Sequence, residues 1–212
     1  MHEKLVVTSA MQTTTPPGQS FAKRWAIYAA LGVPKIDLET WRLSTKGLVE
    51  KELNLTFEEL QELPQVQLTR DFNCVTSWSI KDVVWEGVAF REVARLTGVT
   101  PEAKWVMFHC ADSYTAPVPL EDAMVEDSLI AFKMNGKPIP IQQGFPARPF
   151  IPHLYGWKST KWLTGIELLP EYQDGYWEKY SYHERGNVWE EERFKGQGGK
   201  HMRRRGLGTL PI

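Results

Sequence analysis

A β-rich or mixed fold, rather than a helix bundle, is what this sequence predicts. Many short apolar runs are broken by turn residues, and 14 prolines and 9 tryptophans are spread through the 212 residues, a pattern that suits short strands and disfavours long helices. Hydrophobic residues make up 42% of the chain, enough to bury a core. The expectation is one sizeable domain over residues 21–195, with an N-terminal arm over 1–20 and a basic, glycine-rich tail over 196–212.

Each element has its own local signal. Residues 1–20 are polar and threonine-rich and end in Thr15-Pro16-Pro17-Gly18-Gln19, which reads as an extended arm. Trp25–Ala30 and Trp41–Leu48 read as strands on either side of the Gly32-Val33-Pro34 break. Thr56-Phe57-Glu58-Glu59 is a capping box, in which the Thr56 hydroxyl and Glu59 carboxylate satisfy each other's backbone N–H groups; it opens a helix through Leu63 that Pro64 stops. Val66, Leu68 and Phe72 roughly alternate with polar Gln67, Thr69 and Arg70, predicting a strand that carries Cys74 at its end. After Trp85-Glu86-Gly87-Val88, the residues Phe90, Val93, Ala94 and Leu96 recur at helical spacing, and Gly98 closes that helix.

Trp105–Cys110 is an apolar strand and Ala111–Thr115 the loop after it. Asn135-Gly136 between Ile130–Met134 and Lys137–Ile141 is a strong hairpin signal, because both turn positions need positive φ. A loop-strand from Gln143 to Pro152 carries Arg148, and Leu163–Leu169 reads as a further strand.

Charge narrows the partners. Lys plus Arg is 25 against 26 for Asp plus Glu, so a net charge of −1 gives no whole-molecule field to draw nucleic acid or an anionic membrane. The basic tail residues Lys200, Arg203, Arg204 and Arg205 come after the acidic run Glu190-Glu191-Glu192 and are read as an arm, not a nucleic-acid site. No run approaches the ~18 apolar residues of a membrane span. Lys23-Arg24 followed by Trp25–Val33 copies a signal peptide superficially, yet sits late and lacks a small-residue cleavage site. With two cysteines and no Cys-x-x-Cys pair, a reducing compartment is expected, hence a cytoplasmic location; a mature exported form is the alternative.

Cys74 is the pivot of any chemistry. A thiol at a strand end, with Arg70 nearby in sequence, is a metal ligand, a nucleophile or a small core residue, and local residues alone leave these open. Lys158-Ser159-Thr160-Lys161 is a possible anion cradle, with hydroxyls beside ammonium charges, although such a run is also an ordinary solvated turn.

Four segments taken together resemble the molybdopterin-binding domain of the sulfite oxidase family: Asp71–Ser79, Trp85–Val88, Ala111–Thr115 and Pro152–Trp162. The resemblance runs from about Pro16 to Phe194, and the similar branch is that of small bacterial and archaeal oxidoreductases without a haem domain. It implies a mixed α+β fold, mainly antiparallel sheet with short peripheral helices. It also implies one molybdenum held by the two dithiolene sulfurs of a single molybdopterin, by oxo or hydroxo ligands, and by one protein thiolate, Cys74. Cys110 matches a position that contacts the cofactor. The pterin phosphate would be gripped by Arg148, Lys158, Ser159, Thr160 and Lys161, with Arg24 a further contact and Gln143 an amide where the branch often has histidine.

The resemblance further implies oxygen-atom transfer between molybdenum and a small substrate, with Asp112 and Tyr114 at the pocket; a loop-capping aspartate and a packed tyrosine are the alternatives for those two. Sulfite oxidases have Ala-Gly-Asn-Arg-Arg after their ligand cysteine, whereas this chain has Val75-Thr76-Ser77-Trp78, which tilts the expectation from sulfite toward an S-oxide or N-oxide. Without Cys-x-x-Cys-His to attach haem, electrons are expected to pass through a separate protein. Two other readings compete: a non-catalytic module whose tryptophans stack on sugars, with a degenerate cofactor site, and a hydrolase pairing Cys74 with His109 or His153.

Overall fold

The computed structural model describes residues 5–6 and 14–196, and the expected basic tail from 197 onward lies outside them. In chain order the strands are β1 (Leu5–Val6), β2 (Ser20–Phe21), β3 (Leu43–Gly47), β4 (Asn54–Leu55), β5 (Gln65–Asn73), β6 (Trp78–Ala89), β7 (Trp105–Cys110), β8 (Thr115–Pro119), β9 (Leu129–Met134), β10 (Lys137–Pro138), β11 (Arg148–Phe150) and β12 (Leu163–Leu169). The α-helices are α1 (Phe57–Glu62), α2 (Phe90–Thr97) and α3 (Leu120–Ala123). This is the expected mixed α+β architecture.

Among the described residues the strands form two sheets. One runs β1-β5-β6-β9-β10, with β11 added on β9 and β2 on β6; the other runs β4-β3-β12-β7-β8. Pairing is mainly antiparallel, with β1 on β5, β2 on β6 and β3 on β12 parallel. One core lies between the sheets and under α1 and α2, built from Leu43, Phe57, Leu60, Phe90, Phe108, Ile130, Phe132 and Ile166 among others. A second cluster, with Leu68, Phe72, Trp85, Leu129, Ala131 and Phe150, covers the opposite face of the first sheet. Strand β9 shows why: successive side chains point to opposite faces, so Leu129 and Ala131 serve one core and Ile130 and Phe132 the other. Each fully buried Leu or Phe contributes roughly 1.5–3 kcal/mol.

Local signals hold where the chemistry is local. Glu59 N–H donates to Thr56 Oγ1 at 3.1 Å and Thr56 N–H to Glu59 Oε2 at 2.8 Å, completing the capping box of α1. Gly98 ends α2 at φ 63°, in the left-handed region. Asn135 and Gly136 take φ 52° and 75° in the β9–β10 turn.

Other expectations need correction. Trp25–Ala30 forms no strand: no neighbouring strand pairs with it, and the Trp25 indole packs on Phe72 at 4.8 Å instead. The second expected strand shortens to β3, and the second arm of the hairpin to β10, after which Ile141–Gln143 turns into a 3-10 helix. Trp85–Val88, expected as a lead into α2, lie inside the 12-residue β6. Thr115, expected in a loop, opens β8, and α3 carries no helical signal in the sequence reading. Among the described residues, no helix is long and apolar enough to cross a membrane.

Candidate active site

Strands β5 and β6 are antiparallel neighbours joined by Cys74-Val75-Thr76-Ser77. The turn is tight: Ser77 N–H donates to Cys74 O at 3.1 Å, Cys74 N–H to Trp78 O at 2.9 Å, and Ser77 sits at φ 71°. Two distant side chains hold it. Gln19 Nε2 donates to Cys74 O at 3.0 Å and to Trp78 O at 3.2 Å, and the Arg193 guanidinium donates to Val75 O. The last residues of the expected arm thus pack against the cysteine turn.

The half-buried Cys74 opens onto a cavity of ≈ 350 Å³. On its wall the fold gathers Asp112, Tyr114, Gln143 and Arg148, and from the next loop Ser159, Thr160 and Lys161. Three expected residues are not on it. Arg24 is exposed, one residue before Trp25. Cys110 is buried, which pushes its thiol up to about 12. Lys158 is wholly buried, its Nζ paired with Glu178 Oε1 at 2.7 Å and donating to the carbonyls of Pro117 at 2.7 Å and of Glu184.

Arg148 is the most informative residue of the wall. It is 2% exposed on β11, with Nη1 donating to Gln143 O at 2.8 Å and Nη2 to Ser159 O. Its Nε has no hydrogen-bond partner, and no carboxylate pairs with it among the described residues. Phe72 and Trp85 lie under the guanidinium at 5.4 and 5.8 Å. Burial lowers its pKa to about 10. Beside it, Lys161 is pushed down to about 8, first by burial and then by the Arg148 charge. A buried cation with a free donor, next to an ammonium that its neighbour repels, is incomplete without an anion. A phosphate supplies the missing charge and acceptors.

Among the described residues the rest of the wall carries no further cation. Asp112 accepts Tyr114 N–H at 3.1 Å, and burial raises its carboxyl above the usual range. Tyr114 OH donates to Trp157 O at 2.9 Å, and burial raises its phenol well above normal. Trp177 stacks on Tyr182 at 4.9 Å, and Tyr28 lies 6.3 Å from Trp177. Burial raises the Tyr182 phenol, and the Cys74 thiol adds to that. Sequence reasoning gives no site role to Trp25, Thr76, Trp177 or Tyr182; Thr76 is two residues from Cys74, and the fold brings the other three to the same cavity.

Arg70, near Cys74 in sequence, has its Nε paired with Asp127 at 2.9 Å and is not on the cavity wall. His109 pairs with Glu167 and His153 with Asp122, each at 2.7 Å, and neither borders the cavity, so the structure does not assemble a cysteine–histidine hydrolase. Among the described residues no three His, Cys, Asp or Glu side chains gather to hold an ion. A metal bound at Cys74 must bring its other ligands with it. A soft sulfur side chain at the turn and a cationic corner at Arg148 and Lys161 fit a metal carried by a phosphorylated, sulfur-donating cofactor.

The family described as oxidoreductase molybdopterin binding domain matches residues 30–177. The chain is 39% identical over 180 residues to the uncharacterized oxidoreductase YuiH of Bacillus subtilis, covering 84% of this chain and 91% of that one. It is 30% identical over 165 residues to the protein-methionine-sulfoxide reductase catalytic subunit MsrP of Campylobacter jejuni, covering 70% of this chain and 55% of MsrP. Mitochondrial sulfite oxidase of Homo sapiens is 29% identical over 181 residues, 72% of this chain and 33% of that protein. The sulfane dehydrogenase SoxCD of Paracoccus pantotrophus has the same fold, with TM-score 0.64, 23% identity, and coverage of 80% of this chain and 51% of that one.

Proposed function

Because the chain belongs to the sulfite oxidase-type family of molybdopterin-binding oxidoreductases, whose cofactor is molybdenum with molybdopterin, we propose that it reduces a small S-oxide or N-oxide. Electrons for this would come from a separate redox protein. When bound, the cofactor supplies the two-electron redox chemistry and the exchange of an oxygen atom.

One observation carries the choice of substrate: among the described residues Arg148 and Lys161 are the cations on the cavity wall, and this reading assigns both to the phosphate. Among the described residues no further cationic side chain lines the wall for a sulfite dianion, whereas Trp25, Phe72, Trp78 and Trp177 offer an apolar surface to a neutral S-oxide. The name of the Campylobacter relative, a methionine-sulfoxide reductase, supports the same reading.

The chain's own residues divide the work. Cys74 ligates the metal; Arg148 and Lys161, with Ser159 and Thr160 beside them, hold the phosphate and so fix the cofactor against the thiolate. Ser159 Oγ is itself held by Pro149 O at 2.8 Å. Gln143 presents an amide to the pterin, and Cys110 and Lys158 support the wall from behind. The substrate's S–O or N–O bond breaks, two electrons enter from the redox partner, and the oxygen leaves as water after gaining two protons. Asp112, which lies on the cavity wall with its carboxyl raised by burial, is assigned to their delivery, and Tyr114 fixes the wall through Trp157.

Steady-state assays on protein from a host that makes molybdopterin test this. Turnover of S-oxides or N-oxides with a reduced dye, exceeding sulfite turnover with ferricyanide, is expected; the reverse ranking would overturn the reductase assignment.

A further inference from the structure

The thiolate that binds the metal has a partner of its own. Cys74 Sγ lies 3.2 Å from Thr76 Oγ1, close enough for a hydrogen bond to sulfur. In a free thiol either atom can donate. A thiolate has no proton, so the hydroxyl must donate to it.

The backbone fixes this pair before any metal arrives. The turn is closed by Ser77 N–H on Cys74 O and by Cys74 N–H on Trp78 O, and it is pinned from outside by Gln19 and Arg193. Ser77 accepts a left-handed φ of 71° to complete it, a conformation that disfavours residues with a side chain. Threonine is β-branched, so its χ1 choices are few and its hydroxyl direction is restricted. Thr76 is exposed and borders the cavity, and among the described residues its hydroxyl is engaged by Cys74.

We propose that Thr76 is a positioning residue whose hydroxyl donates to the Cys74 thiolate and lowers the electron donation of that sulfur to the metal. This rests on Cys74 being the protein ligand of molybdenum. A hydrogen bond to a metal-bound sulfur stabilises its lone pairs, which raises the reduction potential of the centre and moves sulfur-to-metal charge transfer to higher energy. It also fixes the sulfur's direction toward the cavity.

The test uses the metal-loaded full chain with Thr76→Val, which keeps the shape and loses the donor, and Thr76→Ser, which keeps the donor. Molybdenum per chain is measured first, then the visible spectrum and a redox titration. Thr76→Val is expected to hold the metal, with its thiolate-to-metal band at longer wavelength and its midpoint potential lowered, while Thr76→Ser stays near wild type. A loaded Thr76→Val protein with an unmoved band and potential overturns the hydrogen bond alone. Loss of metal from Thr76→Val with retention in Thr76→Ser supports the donor, whereas loss from both is a turn defect and overturns it. A wild-type protein without molybdenum overturns the cofactor reading and, with it, this role.

Discussion

Gly156 N–H donates to Asn73 O at 2.7 Å, which hangs the Lys158–Lys161 loop on the residue immediately before Cys74. The Lys158–Lys161 loop and Cys74 are therefore tied to each other by one backbone bond. A Cβ at Gly156 would stand 2.3 Å from Phe72 Cζ, and Phe72 is wedged between Trp25 and Arg148.

Gly156→Ala is expected to cost about 1–3 kcal/mol, because the ring of Phe72 must move against packed neighbours. Molybdenum content should fall with it, since Arg148 rests on that ring. Urea unfolding together with metal analysis checks this; wild-type stability and loading would mean that Phe72 moves freely.

Cys74→Ser replaces a soft ligand by a hard one that is not deprotonated at neutral pH. Activity should fall by more than the roughly 10–100-fold typical of losing an outer-shell partner. The visible spectrum of the purified variant should lose its thiolate band. Unchanged turnover and spectrum would remove Cys74 from the metal.

Lys161 has a pKa lowered to about 8, from the ordinary 10.5, in the cofactor-free protein. Below pH 8 it is charged and ready for phosphate; above it, binding must first take up a proton, so cofactor uptake should weaken as pH rises through about 8. Stability runs the other way. Between about 8 and 10.5 the unfolded chain holds the proton that the folded chain has lost, so this residue makes the cofactor-free protein more stable with rising pH. Lys161→Gln should remove both dependences, read by uptake assays and by unfolding across that range.

Lys158 and Glu178 are each 0% exposed in their side chains, and Trp157 Nε1 also donates to Glu178 Oε1 at 2.9 Å. Lys158→Met strands the carboxylate in the interior and is expected to cost about 3–5 kcal/mol. Adding Glu178→Gln removes the stranded charge while keeping an acceptor for Trp157, so the double variant should regain stability. Denaturation of the wild type and both variants measures this, and equal losses in single and double variants would show the pair to be uncoupled.

Much of the fold and some of the site were legible in the residues. The α1 capping box, the α2 stop at Gly98, the Asn135-Gly136 turn and the bounds of β7 and β12 depend on groups a few positions apart. So does the placing of Cys74 just past the end of β5. Backbone sterics, alternation and local capping act at that range, and they read the same way in any context. The resemblance then brought in a cofactor that no single segment specifies.

Only tertiary structure decided which cations face the cavity. Lys158 and Lys161 stand three positions apart in one loop, yet the first is sealed against Glu178 and the second borders the wall. Trp25–Ala30 has the composition of a strand but finds no strand beside it, and Trp177 and Tyr182, far along the chain, border the same cavity as Cys74. The sequence alone determined the helix caps, the tight turn and the cysteine at a strand end, because those energies are local. The environment of each charge and ring was decided by the fold, because burial and pairing depend on residues that become neighbours only when the sheets close.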